Sequence, residues 1–387
     1  MIADRQWMRR NLGFDPVTTP PPVNTFANAE AAKSSAKPED LQREIIDFDS
    51  EGSEGREFLA FSMATGLSRF TNIPWPKGLA PKTGPKPNIG TGPLPKADVL
   101  MVTWTVDEGH ALSRVITPGE DSHNNYVPYK HNFSTIAKRM ASDSPAVEAK
   151  CLGTFWTTTI GGKKVVVVKS NSHLSQDTKR LPPAGQNLPN YDVWKQMIQE
   201  VRPALVLTTG TAGGIGKWCE VGDVVVSRIV HFDAKKWLKK APYHNAVYTE
   251  AAATKTKFFA TAQKLFKANA DQLPRDNTRA PKIVQSTSVT SSVVTTDFFG
   301  FDTSDNYYKL KNEGDVSEMG DAVLGQVMQG MSNAPRWLAV RNVSDPQIRA
   351  EGTLQQQAVE AANIYKGFGR WSSVCSAIVC WALIAAE

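Results

Sequence analysis

The chain has too little cysteine to lean on it for stability or chemistry. Its 387 residues include only Cys151, Cys219, Cys375 and Cys380. No two form a CxxC pair and no histidine lies at metal-ligand spacing beside them, which excludes a disulfide framework and makes no case for zinc. Reduced thiols and a cytoplasmic setting are the expectation. The opening "MIADRQWMRRNLGFDPVTTPPP" lacks the apolar stretch of a secretory signal. No apolar run reaches the roughly 20 residues of a membrane span, and the longest, "VCSAIVCWALIAA", reads as a buried core helix. Excess charge of one sign is also scarce. With 44 Lys and Arg against 38 Asp and Glu the net charge is +6, scattered except for one lysine cluster, so neither a nucleic-acid nor a membrane surface is expected.

Residues 1–95 differ in character from the rest. "VTTPPPVNTFANAEAAKSSAKPED" is polar and proline-rich, which argues for a loose segment. The spacing of "EFLAFSMATGLSRF" predicts a short helix over 57–70. In "NIPWPKGLAPKTGPKPNIGTGPLPK" a proline every few residues forbids helix or central strand, leaving a linker or an extended arm on a surface. From residue 96 the pattern alternates. "ADVLMVTW", "KKVVVVKS" (163–170), "PALVLTTG" (203–210), "GDVVVSRIV" (222–230) and "RWLAVRNVSD" (336–345) read as buried strands. "YDVWKQMIQEV" (191–201), "TKFFATAQKLFKA" (256–268) and "AVLGQVMQGM" have helical spacing. The expectation is one α/β domain over 96–387, with a central mixed, mostly parallel sheet flanked by helices.

The segment "VLTTGTAGGIGKWCEVGDVVVS", Val206 to Ser227, invites a phosphate-binding reading, and both common forms fail. A P-loop needs Ser or Thr after Gly216-Lys217, where Trp218 stands, and a glycine where Thr211 stands. The spacing of Gly210, Gly213, Gly214 and Gly216 is not that of a dinucleotide fingerprint, and a strand rather than a helix follows. What remains is a strand ending in a tight turn beside the Thr211 hydroxyl, where glycine lets a flat ligand approach the main chain. A plain corner is the alternative.

Taken with four further segments in order, it resembles the nucleoside phosphorylase and nucleosidase superfamily, especially the enzymes that hydrolyse methylthioadenosine and adenosylhomocysteine. "VTWTVDEGHAL" (102–112) is similar to the family's first strand and acidic loop, and "TTDFFGFDT" (295–303) to the segment with a base-stacking phenylalanine. "VSEMGDAVLGQV" (316–327) resembles the ribose-binding helix, and "LAVRNVSDPQ" (338–347) the segment with the purine-binding aspartate.

The resemblance implies cleavage of a purine N-glycosidic bond through an oxocarbenium-like sugar. Asp345 then protonates the departing base at N7, which requires a pKa raised by burial, and Ser344 orients it. Without the resemblance, "SDP" reads as a helix cap. Glu108 is the implied water-activating carboxylate of the first loop, while adjacent Asp107 points elsewhere. Thr211, Ala212 and Gly213 line the ligand. The ribose grip departs from the family pattern: Gly320 stands where the family has glutamate, and Asp321 is the replacement expected ahead of Glu318. Met319 and Arg341 match neighbouring contacts, and Phe299 the base-stacking ring, with Phe298 and Phe301 left to the core.

Phosphorylases of the family carry an arginine where Thr208 stands, and the acidic "TVDEG" repels phosphate, so hydrolysis is expected over phosphorolysis. In "VHFDAKKWLKKAPYHN", His231, Lys235 and Lys236, with Lys239, Lys240 and His244, suit a 5′-phosphate or form a solvated face. The expected substrate is an adenine nucleoside or nucleotide. The expected protein is a homo-oligomer that needs neither metal nor organic cofactor. A phosphorylase and a non-catalytic nucleotide sensor are the alternatives.

Overall fold

Runs of valine and leucine without polar alternation suit strands covered on both faces, and such runs build the centre of this sheet. The computed structural model describes residues 73–88, 91–178, 180–267, 273–274, 277–298, 300, 303–304, 306–347 and 352–387. The helix expected over 57–70, together with Phe299 and Phe301, lies outside the described residues.

Thirteen strands share one mixed sheet among these residues. In chain order they are β1 (Lys82–Thr83), β2 (Val99–Thr103), β3 (Val127–Tyr129), β4 (Gly153–Ile160), β5 (Lys163–Ser170), β6 (Leu205–Gly214) and β7 (Val224–Ser227). They continue with β8 (Ile229–Asp233), β9 (His244–Thr249), β10 (Ile283–Gln285), β11 (Val293–Thr295), β12 (Val316–Glu318) and β13 (Arg336–Asp345). The centre is parallel: β2 pairs with β5 and β6, and β6 with β13. A second parallel group joins β8, β11 and β12. The longer helices are α1 (Val106–Ile116), α2 (Pro189–Val201), α3 (Phe259–Phe266), α4 (Asp321–Gln329) and α5 (Leu354–Ala385).

Two expectations need correcting. The run over 222–230 is two strands, because the chain is interrupted at Arg228: β7 pairs with β13 and β10, whereas β8 pairs with β9 and β11. The glycines of "TTGTAGG" do not form a turn. They continue β6 as strand to Gly214, and the chain turns only afterwards, first over Gly216–Cys219 and again near Gly222 (φ +89°).

That continuation sets up the site. One edge of β6 pairs with β2 over Leu205–Thr208 and with β12 over Gly213–Gly214. Between these two partners the edge is open, at the carboxyl ends of β2 and β13. A crevice beyond the carboxyl ends of parallel strands is where α/β sheets commonly hold ligands.

The C-terminal apolar run belongs to α5, which packs on β13, β6 and α1. Its stretch Gly367–Ala385 is long and apolar enough to cross a membrane, but 89% of it is buried within this fold, so it serves as a core helix. The proline-rich stretch lies along the sheet edge. There β1 pairs with β4, the Trp156 indole donates to the Gly84 carbonyl (3.0 Å), and Trp75 packs against Trp381 at a 45° tilt with centroids 4.7 Å apart.

Candidate active site

Glu108 occupies the open edge of β6. The sequence places it in a loop; instead it sits in the first turn of α1, where Thr105 is the N-cap and Glu108 completes a capping box. Its Oε2 accepts from the Thr103 hydroxyl (3.0 Å) and the amides of Trp104 (3.0 Å) and Thr105 (2.9 Å). Its Oε1 accepts from the Thr211 amide (2.7 Å) and hydroxyl (2.6 Å). The carboxylate thus joins the end of β2 to β6 beyond the point where the two strands stop pairing with each other. Gly210 (φ +148°) makes room, since a Cβ there would lie 2.5 Å from the Glu108 carboxyl carbon. Burial raises the Glu108 pKa, but the Arg341 charge and the bonds from Thr211 and Thr105 outweigh it and hold the group ionised, below its ordinary value. Asp107 does point elsewhere: it accepts from Arg370 of α5 at 3.0 and 2.5 Å.

Asp345 ends β13, in register with Gly213 on the other edge of β6. Thr211 and Gly213 are two residues apart, about 7 Å along a strand, so β6 carries both carboxylates' attachment points. The Ser344 hydroxyl donates to Asp345 Oδ1 (2.6 Å) and contacts the Ala212 carbonyl (3.3 Å). Asp345 is 6% exposed, and burial pushes its pKa up to about 7, only partly opposed by the Ser344 bond. Its Oδ2 has no partner among the described residues. An ionised carboxylate and a carboxyl near neutrality are thus anchored on the two edges of β6, two residues apart in register.

Arg341 lies near Glu108, in register with Gly210. It donates to both oxygens of Asp321 (2.8 and 2.6 Å) and to Glu318 Oε2 (3.1 Å), with a longer contact to the Thr211 carbonyl (3.4 Å). Glu318 also accepts from the Thr295 hydroxyl and, on both oxygens, from the Asp321 amide (2.9 and 3.0 Å). Burial, then the Asp321 charge, raises the Glu318 pKa against the pull of Arg341. Asp321, the expected ribose contact, is fully buried with its carboxylate on the guanidinium. Met319 is half-buried beside them.

Trp104 was missed by sequence reasoning. Its indole lies 4.7 Å from the Arg341 guanidinium and packs edge-on to Trp194 (6.0 Å). A Cβ on Gly320 would meet its ring at 3.3 Å. The only available signal was a large aromatic ending a strand in "VLMVTW". Behind Trp104 opens a small cleft lined by Ser170, Ser172, Asn190, Leu174 and Met197, none of them charged.

The lysine-rich stretch is held elsewhere. Lys235 Nζ pairs with Asp233 (2.5 Å) and donates to the Tyr308 carbonyl (3.2 Å). Buried Asp297 accepts from four successive amides, Lys235 (2.8 Å), Lys236 (2.9 Å), Trp237 and Leu238 (2.7 Å). The anion nest of this turn is thus filled by the chain's own carboxylate. His231 shares a 2.9 Å bond with Ser292, at the start of β11, whereas Glu318 aligns with Thr295 at its end. Phe298 is core, stacked on Tyr308 at 5.5 Å. Among the described residues no group of three or more His, Cys, Asp and Glu side chains is arranged to hold a metal ion.

A family model described as the phosphorylase superfamily matches residues 127–380. The chain belongs to the phosphorylase superfamily. The matched span includes β6, β12 and β13, and with them Thr211, Glu318, Arg341 and Asp345; it begins after Glu108. Membership gives the chain a nucleoside hydrolase or phosphorylase class of function. No curated protein matches it. Among solved structures, the 5′-methylthioadenosine/S-adenosylhomocysteine nucleosidase of Neisseria meningitidis, in complex with methylthio-immucillin-A, is 15% identical with a TM-score of 0.45. That alignment covers 75% of this chain and 100% of the other. Helicobacter pylori futalosine hydrolase is 14% identical with a TM-score of 0.44, covering 73% and 96%. A point mutant of the H. pylori nucleosidase, with 5′-methylthioadenosine in its active site, is 14% identical with a TM-score of 0.46, covering 74% and 97%.

Proposed function

We propose that this phosphorylase-superfamily protein is a purine nucleosidase that hydrolyses the N-glycosidic bond of a neutral adenine nucleoside. What supports the reading is that β6 anchors, two residues apart, an ionised Glu108 bound at Thr211 and an Asp345 carboxyl whose pKa burial raises to about 7.

Asp345 is the general acid. Its proton passes to N7 of the purine, the C1′–N9 bond breaks, and the electron pair leaves with the base. Adenine presents N7 as acceptor and its 6-amino group as donor, whereas guanine presents two acceptors. A carboxyl that donates through one oxygen and accepts through the other matches the adenine edge.

Glu108 acts through Thr211. All of its acceptor sites are filled, and one donor is the Thr211 hydroxyl, whose own lone pairs remain able to hold a water. That water attacks C1′, and its proton leaves by the hydroxyl towards Glu108. A weakly basic carboxylate suffices, because the water becomes acidic once it bonds to a cationic sugar carbon. Glycoside hydrolysis uses the same division between an acid and a second carboxylate. The proton lost from water balances the one Asp345 gave up, so nucleoside and water yield base and ribose.

Water is favoured over phosphate because Thr208 lies buried in β6 and the nearest buried cation, Arg341, is committed to Asp321 and Glu318. A nucleoside is favoured over a nucleotide because Lys235 and the 235–238 amides are engaged by Asp233 and Asp297 and the cleft beside Trp104 is uncharged. The site is expected to work in a homo-oligomer. Incubating the protein with a panel of nucleosides and nucleotides, with and without phosphate, tests this. Free adenine and ribose regardless of phosphate support it. Ribose 1-phosphate formed only with phosphate rejects it.

A further inference from the structure

Resting on the nucleosidase reading, we propose that buried Asp177 sets the specificity of the cleft behind Trp104. It turns Asn190 and Ser172 into hydrogen-bond acceptors, so the cleft selects a substrate whose 5′ group donates, a hydroxyl, over a thioether or ether.

Asp177 is 1% exposed and stands behind the cleft, not in its lining. Its Oδ1 accepts from the Ser144 hydroxyl (2.5 Å), and its Oδ2 from the Ser172 hydroxyl (2.6 Å) and the Asn190 amide nitrogen (2.8 Å). Burial pushes its pKa up to about 6, so at pH 8 it is ionised and can only accept. A carboxylate cannot bond to an oxygen acceptor, which fixes the nitrogen of Asn190 as the atom facing it. The same nitrogen also donates to the Ser172 oxygen (2.8 Å). Ser172 has one side-chain proton and Asn190 two, and all three are used within this cluster.

What these two side chains can still offer a ligand are oxygens. Asn190 is 5% exposed, and its Oδ1 is buried with no partner among the described residues. A buried acceptor without a donor is costly, and a ligand that supplies the donor removes the cost. The cleft has room for about one water-sized group. A hydroxyl fits both the size and the chemistry.

The sheet order brings the far end of a nucleoside there. β6 pairs with β13 on one edge and β2 on the other, and β2 pairs with β5. Asp345 ends β13, Glu108 joins the end of β2 to β6, and Ser170, in the cleft wall, ends β5. Trp104 follows β2 and separates Glu108 from the cleft. A nucleoside with its base at Asp345 and C1′ at Thr211 extends its sugar past Trp104, and a 5′-hydroxyl donates to Asn190 Oδ1.

Adenine release at pH 8 is measured from adenosine, 5′-deoxyadenosine and 5′-O-methyladenosine, by wild type, Asn190→Ala and Asp177→Asn. Wild type is expected to favour adenosine over both analogues by at least about tenfold in kcat/KM, because a site built for a hydroxyl rejects analogues without its proton. Asn190→Ala removes the acceptor, and Asp177→Asn releases the Asn190 side chain to turn. Each is expected to narrow the preference at least about threefold. A purely structural role would lower all three rates together and leave the ratios unmoved. A wild-type preference under about tenfold, or ratios that both variants leave unmoved, overturns the proposal while the nucleosidase reading stands. The wild-type comparison decides by itself where a variant fails to fold. Absence of free base from all three substrates with wild type removes that reading and this inference with it.

Discussion

A methyl group on Gly210 would stand 2.5 Å from the carboxyl carbon of Glu108, well inside van der Waals contact. The glycine and the glutamate are therefore one device: the bare backbone at 210 lets the carboxylate reach the Thr211 amide and hydroxyl from 103 residues away.

Gly210→Ala is expected to displace Glu108 and to strain a backbone at φ +148°. Strain and contact together should cost about 2–4 kcal/mol of stability, seen as a lower denaturation midpoint. Base release should fall at least tenfold even where the variant remains folded.

Asp345 sets a pH profile. As an acid with a pKa near 7, it is expected to make kcat/KM fall about tenfold per pH unit above that value. Asp345→Asn should lower the rate by about 10²–10⁴-fold and abolish this limb. In Ser344→Ala the carboxylate loses a donor that favours its charged form, so the limb should move to higher pH.

The same shift predicts stability. A carboxyl with a folded pKa raised from 3.8 to about 7 contributes stability that is full below 3.8 and lost as pH rises through 7. Asp345→Asn cannot ionise, so it should melt at a higher temperature than wild type at pH 8 and show no such gain at pH 3. Thermal scans at the two pH values check this.

Arg341→Lys is not expected to be conservative. A lysine cannot reproduce the two-point contact with Asp321 while reaching Glu318. Leaving buried carboxylates poorly paired should cost about 3–5 kcal/mol, measured by chemical denaturation.

The lysine stretch separates nucleosides from nucleotides. Lys239→Ala with Lys240→Ala should change adenosine turnover less than about threefold, as surface changes usually do. AMP should be a poorer substrate than adenosine in both proteins. Efficient AMP turnover that falls in the double variant would show a phosphate site at this surface.

Much of this architecture is legible in the chain. The bounds of β5 and β13 match "KKVVVVKS" and "RWLAVRNVSD", because short apolar runs such as "VVVV" and "WLAV" suit strands buried on both faces. The raised pKa of Asp345 was likewise foreseeable, as a role demanding burial at a strand end. Other features were not legible. The extension of β6 through its glycines contradicts local propensity and is held by β12 and β13, which are distant in sequence. The commitment of Asp321 to Arg341 depends on helix phase at α4, which a one-residue displacement of the acid conceals. Trp104 over Arg341 left no spacing signal, since neither residue type is unusual where it stands.

The central claim is that Glu108 and Asp345 act on one glycosidic bond with water as nucleophile. Adenine release from adenosine in phosphate-free buffer, by wild type, Glu108→Ala and Asp345→Asn side by side, tests it most directly. The account predicts equimolar adenine and ribose from wild type and almost none from either variant. Undiminished release by the variants, or none by wild type, contradicts it.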